Sequence, residues 1–400
     1  GEPAEVFLRV DVTGLGEMGQ RPPLDLAVVL DRSGSMSGAK IAYAKKAVNT
    51  LIDRLLPTDH VALLAYDDVV DTVIPRRKVD DALVMKTKTE LIEPRGITNL
   101  SGGLVAGLQQ LGKDKGALRR VLLLSDGLAN EGVTDPAGLS DIAQQGVGDG
   151  KGVSTFGVGT DFDEDLLRML ADAGGGSYYY IATPDDIPAI FLEELGELGD
   201  VVAQNLSIDF RAQSVQVLGL LGFDSAGFPA KAGDVRAGAV RSIMLALAVP
   251  PTDEGEVVLG EVTCRWTTLD DAFTTQEEKI TVASVSSPDI RRVQEAVDEE
   301  VLRAAQLQLA ADENQAASRA ARAGDEKAFR EHVANARKTL SYMRNTDDPA
   351  YLEQMRLSDE LRLAGPDALR SDYDLQKRVH RSSYEMRRGK PTRPREDEKS

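Results

Sequence analysis

The chain has 400 residues, 42% of them apolar and 28% charged, with 65 acidic against 47 basic side chains and a formal charge of −18. That is too much chain for one ordinary core, so two or three domains are expected, and the acidity argues against a nucleic-acid surface, since a phosphate backbone would be repelled. The one cysteine, Cys264, cannot close an internal disulfide and slightly favours a reducing, cytoplasmic setting, no run reaches the length of a membrane span, and residues 1–20 lack the basic start and apolar core of a secretory signal.

Ala4 to Val12 alternates apolar and polar residues, as a strand does, and a Gly/Pro-rich connector follows from Gly14 to Pro23. Leu24–Leu30 (LDLAVVL) is a short apolar run of the kind a buried parallel strand requires. Gly38–Leu56 places Ile41, Ala44, Val48, Leu51, Ile52 and Leu55 on one helical face. Val61–Tyr66 and Val69–Ile74 read as a hairpin around Asp67-Asp68. Helices are expected over Ala82–Ile92, Leu100–Leu111, Pro136–Gln145, Glu164–Ala173 and Ile187–Val202, with strands at Arg120–Leu124, Val153–Val158 and Tyr178–Ile181. Strands and helices alternating over this length imply a doubly wound, mostly parallel α/β sheet with helices on both faces and one antiparallel edge strand.

Beyond Gln204 the helical signal disappears. Leu206–Phe210, Val215–Leu218, Val240–Val249, Val257–Trp266 and Phe273–Val282 read as strands of an antiparallel sandwich, the fourth with Val258, Gly260, Val262, Cys264 and Trp266 on one face. The N-terminal strand has no place in the parallel sheet and is expected to pair with this sandwich. From Pro288 a long helix is expected to about Arg322, broken at Gly324, with Asp325 capping a second to about Arg344, and shorter helices opening at Pro349 and Pro366. The division is therefore 1–21 with 203–286 as a sandwich, 22–202 as an α/β domain, 287–387 as a helical region, and 388–400 as a disordered tail.

Asp31-Arg32-Ser33-Gly34-Ser35-Met36-Ser37-Gly38 follows a buried strand and precedes a helix. Asp31, Ser33 and Ser35 are alternate residues of one tight loop, so a carboxylate and two hydroxyls can turn to one side. Oxygen ligands of this kind suit a hard cation, Mg²⁺ first, with Mn²⁺ or Ca²⁺ also acceptable. Thr98, just before a helix, and Asp126, just after a strand, lie where loops leave strand ends or enter helices, and can complete the set. Thr98 or Asn99 equally well caps its helix, and Asp31 or Asp126 alone would be an ordinary loop residue; the set in order, at the right element ends, carries the reading.

The Asp31/Ser33/Ser35 pattern, with Thr98 and Asp126, resembles the von Willebrand factor type A (VWA) family and its metal-ion-dependent adhesion site. Val153–Gly159, Asp165–Ala171 and Gly174–Ile181 also look like that family's later strands and helix. The flanking regions more weakly resemble those of large bacterial proteins carrying such domains. The resemblance implies that the two serines and the threonine bind metal directly and that the aspartates often act through water. It implies one open coordination position, filled by a Glu or Asp of a protein partner, and in some members a shift of the last helix on ligation. The chain is thus expected to be a metal-dependent binding module and not an enzyme. A Mg²⁺-dependent hydrolase or phosphatase using the same carboxylates is the alternative, though no phosphate-binding Gly-x-x-x-x-Gly-Lys-Ser/Thr run is present. Asp161-Phe-Asp163-Glu-Asp165 imitates a calcium loop but has Leu166 where glycine is needed, and reads as a helix cap. Tyr178-Tyr179-Tyr180 reads as a strand packed on both faces, and His60, His332 and His380 as structural or surface residues.

Overall fold

A computed structural model describes residues 3–16, 21–113, 116–126, 129–159, 163–181, 183, 185–223, 227–269, 274–343 and 347–387. Its first half alternates β2 (Leu24–Asp31), α1 (Ala39–Arg54), β3 (His60–Tyr66), β4 (Val70–Lys78), α2 (Ala82–Glu90), α3 (Leu100–Gln110), β5 (Leu118–Ser125), α4 (Pro136–Gly148), β6 (Lys151–Val158), α5 (Glu164–Ala173), β7 (Gly175–Ile181) and α6 (Ile187–Gly199), after a leading strand β1 (Ala4–Thr13). The six strands from β2 to β7 form one sheet in the order β4-β3-β2-β5-β6-β7, parallel except for the β3–β4 edge pair.

Strand β2 shows why the sequence reads as an unbroken apolar run. Leu24, Leu26, Val28 and Leu30 enter one core, under α1 and α6, while Ala27 and Val29 enter the other, under α3 and α4. A strand covered on both faces has no side to leave polar. The chain leaves β2 toward β3 on one side and returns to β5 on the other, so the strand order reverses between β2 and β5. In open α/β sheets the crevice at the carboxyl ends of such strands is where ligands bind, and Asp31 and Asp126 stand at those two ends.

The next strands are β8 (Val201–Ala212), β9 (Gln216–Leu221), β10 (Ala230–Arg236), β11 (Val240–Val249), β12 (Gly255–Thr268) and β13 (Thr275–Ser286). They form two antiparallel sheets, β1-β11-β9 and β10-β8-β12-β13, with Leu206, Ile208, Leu245, Leu247, Val262 and Cys264 sharing the core between them. Strand β1 pairs along its whole length with β11, from Ala4 opposite Val249 to Thr13 opposite Val240.

Four expectations need correction here. The last helix of the α/β layer stops at Gly199, with Asp200 at its C-cap, and the β-branched pair Val201-Val202 already belongs to β8. Strand β10 was not anticipated; Gly233 and register shifts on both sides of it erase the alternation by which a strand is recognised. In β12 a bulge between Val258 and Gly260 changes the inward face, so Val257 and Leu259, not Val258, join Val262 and Cys264 in the core. A side chain at Gly260 would meet the Arg211 carbonyl oxygen of β8 at 2.4 Å, so the strands approach closely where the bulge sits. The expected helix from Pro288 to Arg322 is two helices, α7 (Ile290–Glu295) and α8 (Glu299–Ala323), because the Asp298 side chain accepts from the amides of Glu300 and Val301 and starts a new N-terminus.

Helix α9 (Glu326–Ser341) is capped by Asp325, and α10 (Pro349–Leu369) bends at Gly365, before Pro366. The helix expected to open at Pro366 is divided: Pro366 lies in the last turn of α10, and a separate helix, α11 (Tyr373–Arg387), few of whose residues are apolar, completes the region expected to be helical. Three of those few, Leu375, Val379 and Tyr384, are buried. It touches the outer strand of the parallel sheet through side chains: the Tyr178 amide of β7 donates to the Tyr384 hydroxyl at 3.0 Å, and the two rings meet edge to face at 6.1 Å. The tail from 388 to 400 lies outside the described residues.

Candidate metal centre

The loop after β2 is shaped by its own side chains. The Asp31 carboxylate accepts from the Ser33 amide at 2.8 Å through Oδ1, and from the Ser125 hydroxyl at 2.7 Å and the Tyr66 hydroxyl at 3.4 Å through Oδ2. Asp31 therefore folds its own loop and ties it to the ends of β3 and β5. That turn brings the Ser33 and Ser35 hydroxyls within 3.0 Å of each other. Burial pushes the Asp31 carboxyl up to about 6; the bonds from Ser125 and Ser33 pull the other way, and the neighbouring Asp126 charge adds to the rise.

The Thr98 segment is docked against this loop by backbone and ion pairs. Gly34 donates to the Gly96 carbonyl at 3.1 Å, and Arg95 to the Arg32 carbonyl at 2.8 Å. Arg32 and Arg95 share the Asp67 carboxylate, at 3.0 and 2.6 Å, and both also reach Asp71. Burial opposes ionisation of Asp67, but Arg95, the Val69 amide and Arg32 outweigh it and hold the carboxyl below its ordinary range. Sequence reasoning missed this clamp, since Asp67 was read only as a hairpin residue and Arg32 not at all. The local signal for it was an arginine adjacent to each of the two loops.

The choice of helix cap at α3 falls to Asn99, whose side chain accepts from the Gly102 amide at 2.8 Å. The Thr98 hydroxyl is buried and, among the described residues, has no hydrogen-bond partner. The same holds for Oδ1 of the fully buried Asp126, while its Oδ2 accepts from the Lys40 ammonium at 3.2 Å. Lys40 and Ser125 are two further residues of the site that the sequence reading passed over.

The structure thus links Asp31, Ser33, Ser35 and Asp126 directly or through shared charge, and docks the Thr98 loop on theirs. Among the described residues no group of three or more His, Cys, Asp or Glu side chains is placed to hold a metal ion, so a metal held here would have to draw on hydroxyls as well as carboxylates. Asp163 caps α5 by accepting from the Leu166 amide, as expected, while residues 161 and 162 lie outside the described residues. Tyr179 stacks on Phe156 on one face of β7 and Tyr178 meets Tyr384 on the other. His332 pairs with Glu313 at 2.7 Å, and His380 is buried between Gln315 and Arg322.

Residues 25–193 match the von Willebrand factor type A domain, and the chain carries that domain. The uncharacterized protein YfbK of Escherichia coli is 26% identical over 225 residues, covering 54% of this chain and 39% of that protein. An uncharacterized protein of Synechocystis is 31% identical over 189 residues, covering 46% of this chain and 44% of its own length. The chain thus matches about two fifths of the length of these relatives. A solved structure described as von Willebrand factor type A from Catenulispora acidiphila shares the fold over 95% of this chain and 96% of its own, with a TM-score of 0.69 at 19% identity. No described helix is long and apolar enough to cross a membrane.

Proposed function

We propose that the chain is a binding protein, not an enzyme, whose VWA domain holds a divalent cation, Mg²⁺ first, through Ser33, Ser35 and Thr98 with support from Asp31 and Asp126, and uses it to recognise an acidic side chain of a partner protein. The observation that carries this reading is the pair of buried oxygens without a described partner, Thr98 Oγ1 and Asp126 Oδ1, on loops that meet the Ser33–Ser35 pair. A buried oxygen with no partner costs about 1–3 kcal/mol, and a hard cation satisfies hydroxyl and carboxylate oxygens together. The bound ion supplies positive charge with an exchangeable position, and because three of its ligands are neutral hydroxyls it attracts an incoming carboxylate strongly. The chain's own work is to hold those hydroxyls together, through Asp31 and the Arg32–Asp67–Arg95 clamp, at the mouth of the β2/β5 crevice.

We further propose that residues 1–21 and 203–286 form one sandwich unit with 22–202 inserted, and that 287–387 form a helical unit. The β1–β11 pairing and the shared core of the two antiparallel sheets support this division. Calorimetric titration with Mg²⁺ tests the site. Wild type binds one ion and melts at higher temperature with it, whereas Asp31→Ala stays folded and binds none; wild-type affinity in the variant would refute the assignment. Capture of a partner in Mg²⁺ and its loss in EDTA tests the recognition step.

A further inference from the structure

We propose that three exposed aliphatic side chains, Val69, Ile97 and Val133, form an apolar rim beside the metal site, and that the acid the partner offers is one flanked by aliphatic or aromatic residues. This rests on the cation-site reading above and extends it from the acid itself to the residues on either side of it.

The three residues come from segments that meet at Thr98. On one side the Thr98 carbonyl accepts from the Asn130 and Glu131 amides at 2.9 and 3.1 Å. On the other the Asp67 carbonyl accepts from the Asn99 amide at 2.9 Å, and a Cβ on Gly96 would stand 3.1 Å from Asp67 Cβ. The turn at 67–69 and the turn at 130–133 therefore flank the Thr98 segment. Val69 is 51%, Ile97 52% and Val133 37% exposed. A single exposed aliphatic residue is ordinary on a protein surface; three brought from separate stretches of sequence to the borders of one site are not.

Each of the three is held in place by groups that also shape the site. The Val69 amide donates at 2.8 Å to Asp67 Oδ1, part of the carboxylate that Arg32 and Arg95 share. The Val133 amide donates at 2.9 Å to the Ser101 hydroxyl, which donates in turn to Asn99 Oδ1, the cap of α3, at 3.1 Å. Gly132, with φ of +73°, lets that turn come so close, since a Cβ there would meet Ser101 Oγ at 2.4 Å. Ile97 lies between Gly96, whose carbonyl accepts from the Gly34 amide, and Thr98. All three are β-branched and stiff at χ1, so covering them loses little side-chain freedom. An acid drawn to an ion at Thr98 brings its own chain neighbours onto this rim. The same turns carry Asp68, whose carboxylate lies against Gly96 and near Arg95, and Glu131, so the aliphatic surface is edged with acids. Covering the exposed half of one isoleucine changes affinity about tenfold.

The test presents the full chain in Mg²⁺ with a displayed peptide library, in which one Glu is fixed and the residues on both sides are random, and releases the bound peptides with EDTA. The wild type is expected to enrich Val, Ile, Leu or Phe beside the Glu. The most enriched peptide is then titrated by calorimetry, in Mg²⁺, into the wild type, Ile97→Ser, the double variant Ile97→Ser with Val69→Ser, and Asp31→Ala. Ile97→Ser is expected to bind it about tenfold more weakly and the double variant more weakly still. Both should keep the wild-type affinity for Mg²⁺ and the wild-type melting temperature in EDTA, because only exposed atoms are removed. Enriched peptides with no apolar residue beside the Glu, wild-type peptide affinity in the double variant, or a peptide affinity that falls only in step with Mg²⁺ affinity would each overturn the rim. A wild type that retains no peptide, or a peptide that binds Asp31→Ala equally well, would instead overturn recognition through the cation, on which the rim depends.

Discussion

Thr98 and Asn99 are neighbours at the start of α3 with different partners, and substitutions separate them. Asn99→Ala removes the cap of the Gly102 amide and should cost about 1 kcal/mol, with or without metal, by urea denaturation. Thr98→Val exchanges a buried hydroxyl without a described partner for a methyl group. The expected outcome is a protein about 1 kcal/mol more stable in EDTA that has lost its stabilisation by Mg²⁺. A variant less stable in EDTA would mean that the hydroxyl has a structural partner. These hydroxyls were legible in the sequence because Asp31, Ser33 and Ser35 alternate within one loop between a buried strand and a helix. Lys40, Arg32 and Asp67 were not, since their meaning lies in pairs such as Arg32 with Asp67 and Lys40 with Asp126, which no local pattern announces.

His380 belongs to the same scale. It is 2% exposed, and Arg322, which can only donate, directs an Nη2–H at Nε2 from 3.1 Å. Burial first, with the nearby charges of Arg168, Arg322 and Arg319, takes the ring down to about 3 against the pull of Asp165. The unfolded chain therefore takes up a proton near pH 6.5 that the folded one refuses, so this residue's contribution to stability is present at neutral pH and declines as pH falls from about 6.5 toward 3. Glu164 nearby has the opposite sign: burial raises its carboxyl to about 8, and its contribution declines as pH rises from about 4.5 to 8. Comparison with His380→Gln isolates the histidine. Between pH 7 and pH 5 the wild type should lose about 2 kcal/mol relative to the variant in urea denaturation, and parallel profiles would show that the ring is not held neutral.

Among the elements, α11 and β7 form the pairing that the sequence hid most completely. A helix whose visible composition is charged meets the outer strand of the sheet through a tyrosine hydroxyl on a strand amide and through Lys377, whose ammonium sits 4.1 Å from the centre of the Tyr180 ring. Tyr384→Phe keeps the ring contact and removes the hydrogen bond. It should cost about 1–2 kcal/mol, and amide exchange at Tyr178 should accelerate. The strands that were legible are those buried on both faces, such as β2 and β5, where the apolar run is continuous. Strand β10 and the inner face of β12 were not, since a bulge shifts the two-residue period on which the reading depends.

Over the whole molecule, the parallel sheet and the sandwich are joined by charge. Arg120, at the amino end of β5, pairs with Asp234 of β10, and both are buried; Glu197 of α6 pairs with Arg236 of β10 at 3.2 Å. Removing one member of a buried ion pair costs about 3–5 kcal/mol, because the other is left uncompensated. Arg120→Met should therefore unfold at distinctly lower urea concentration. Arg120→Met combined with Asp234→Leu should recover part of the loss, whereas an additive double variant would show that the two residues are not coupled.

The pairing of β1 with β11 sets an order on synthesis. Residues of the parallel sheet are complete once Ile181 has left the ribosome, yet Ala4 must wait for Val249 before it has a neighbour. During that interval a ten-residue strand with Val6, Leu8, Val10 and Val12 on one side stays unprotected in the nascent chain. A strand made before the whole parallel sheet is thus secured only after it, and a ribosome-associated chaperone would have a long engagement there.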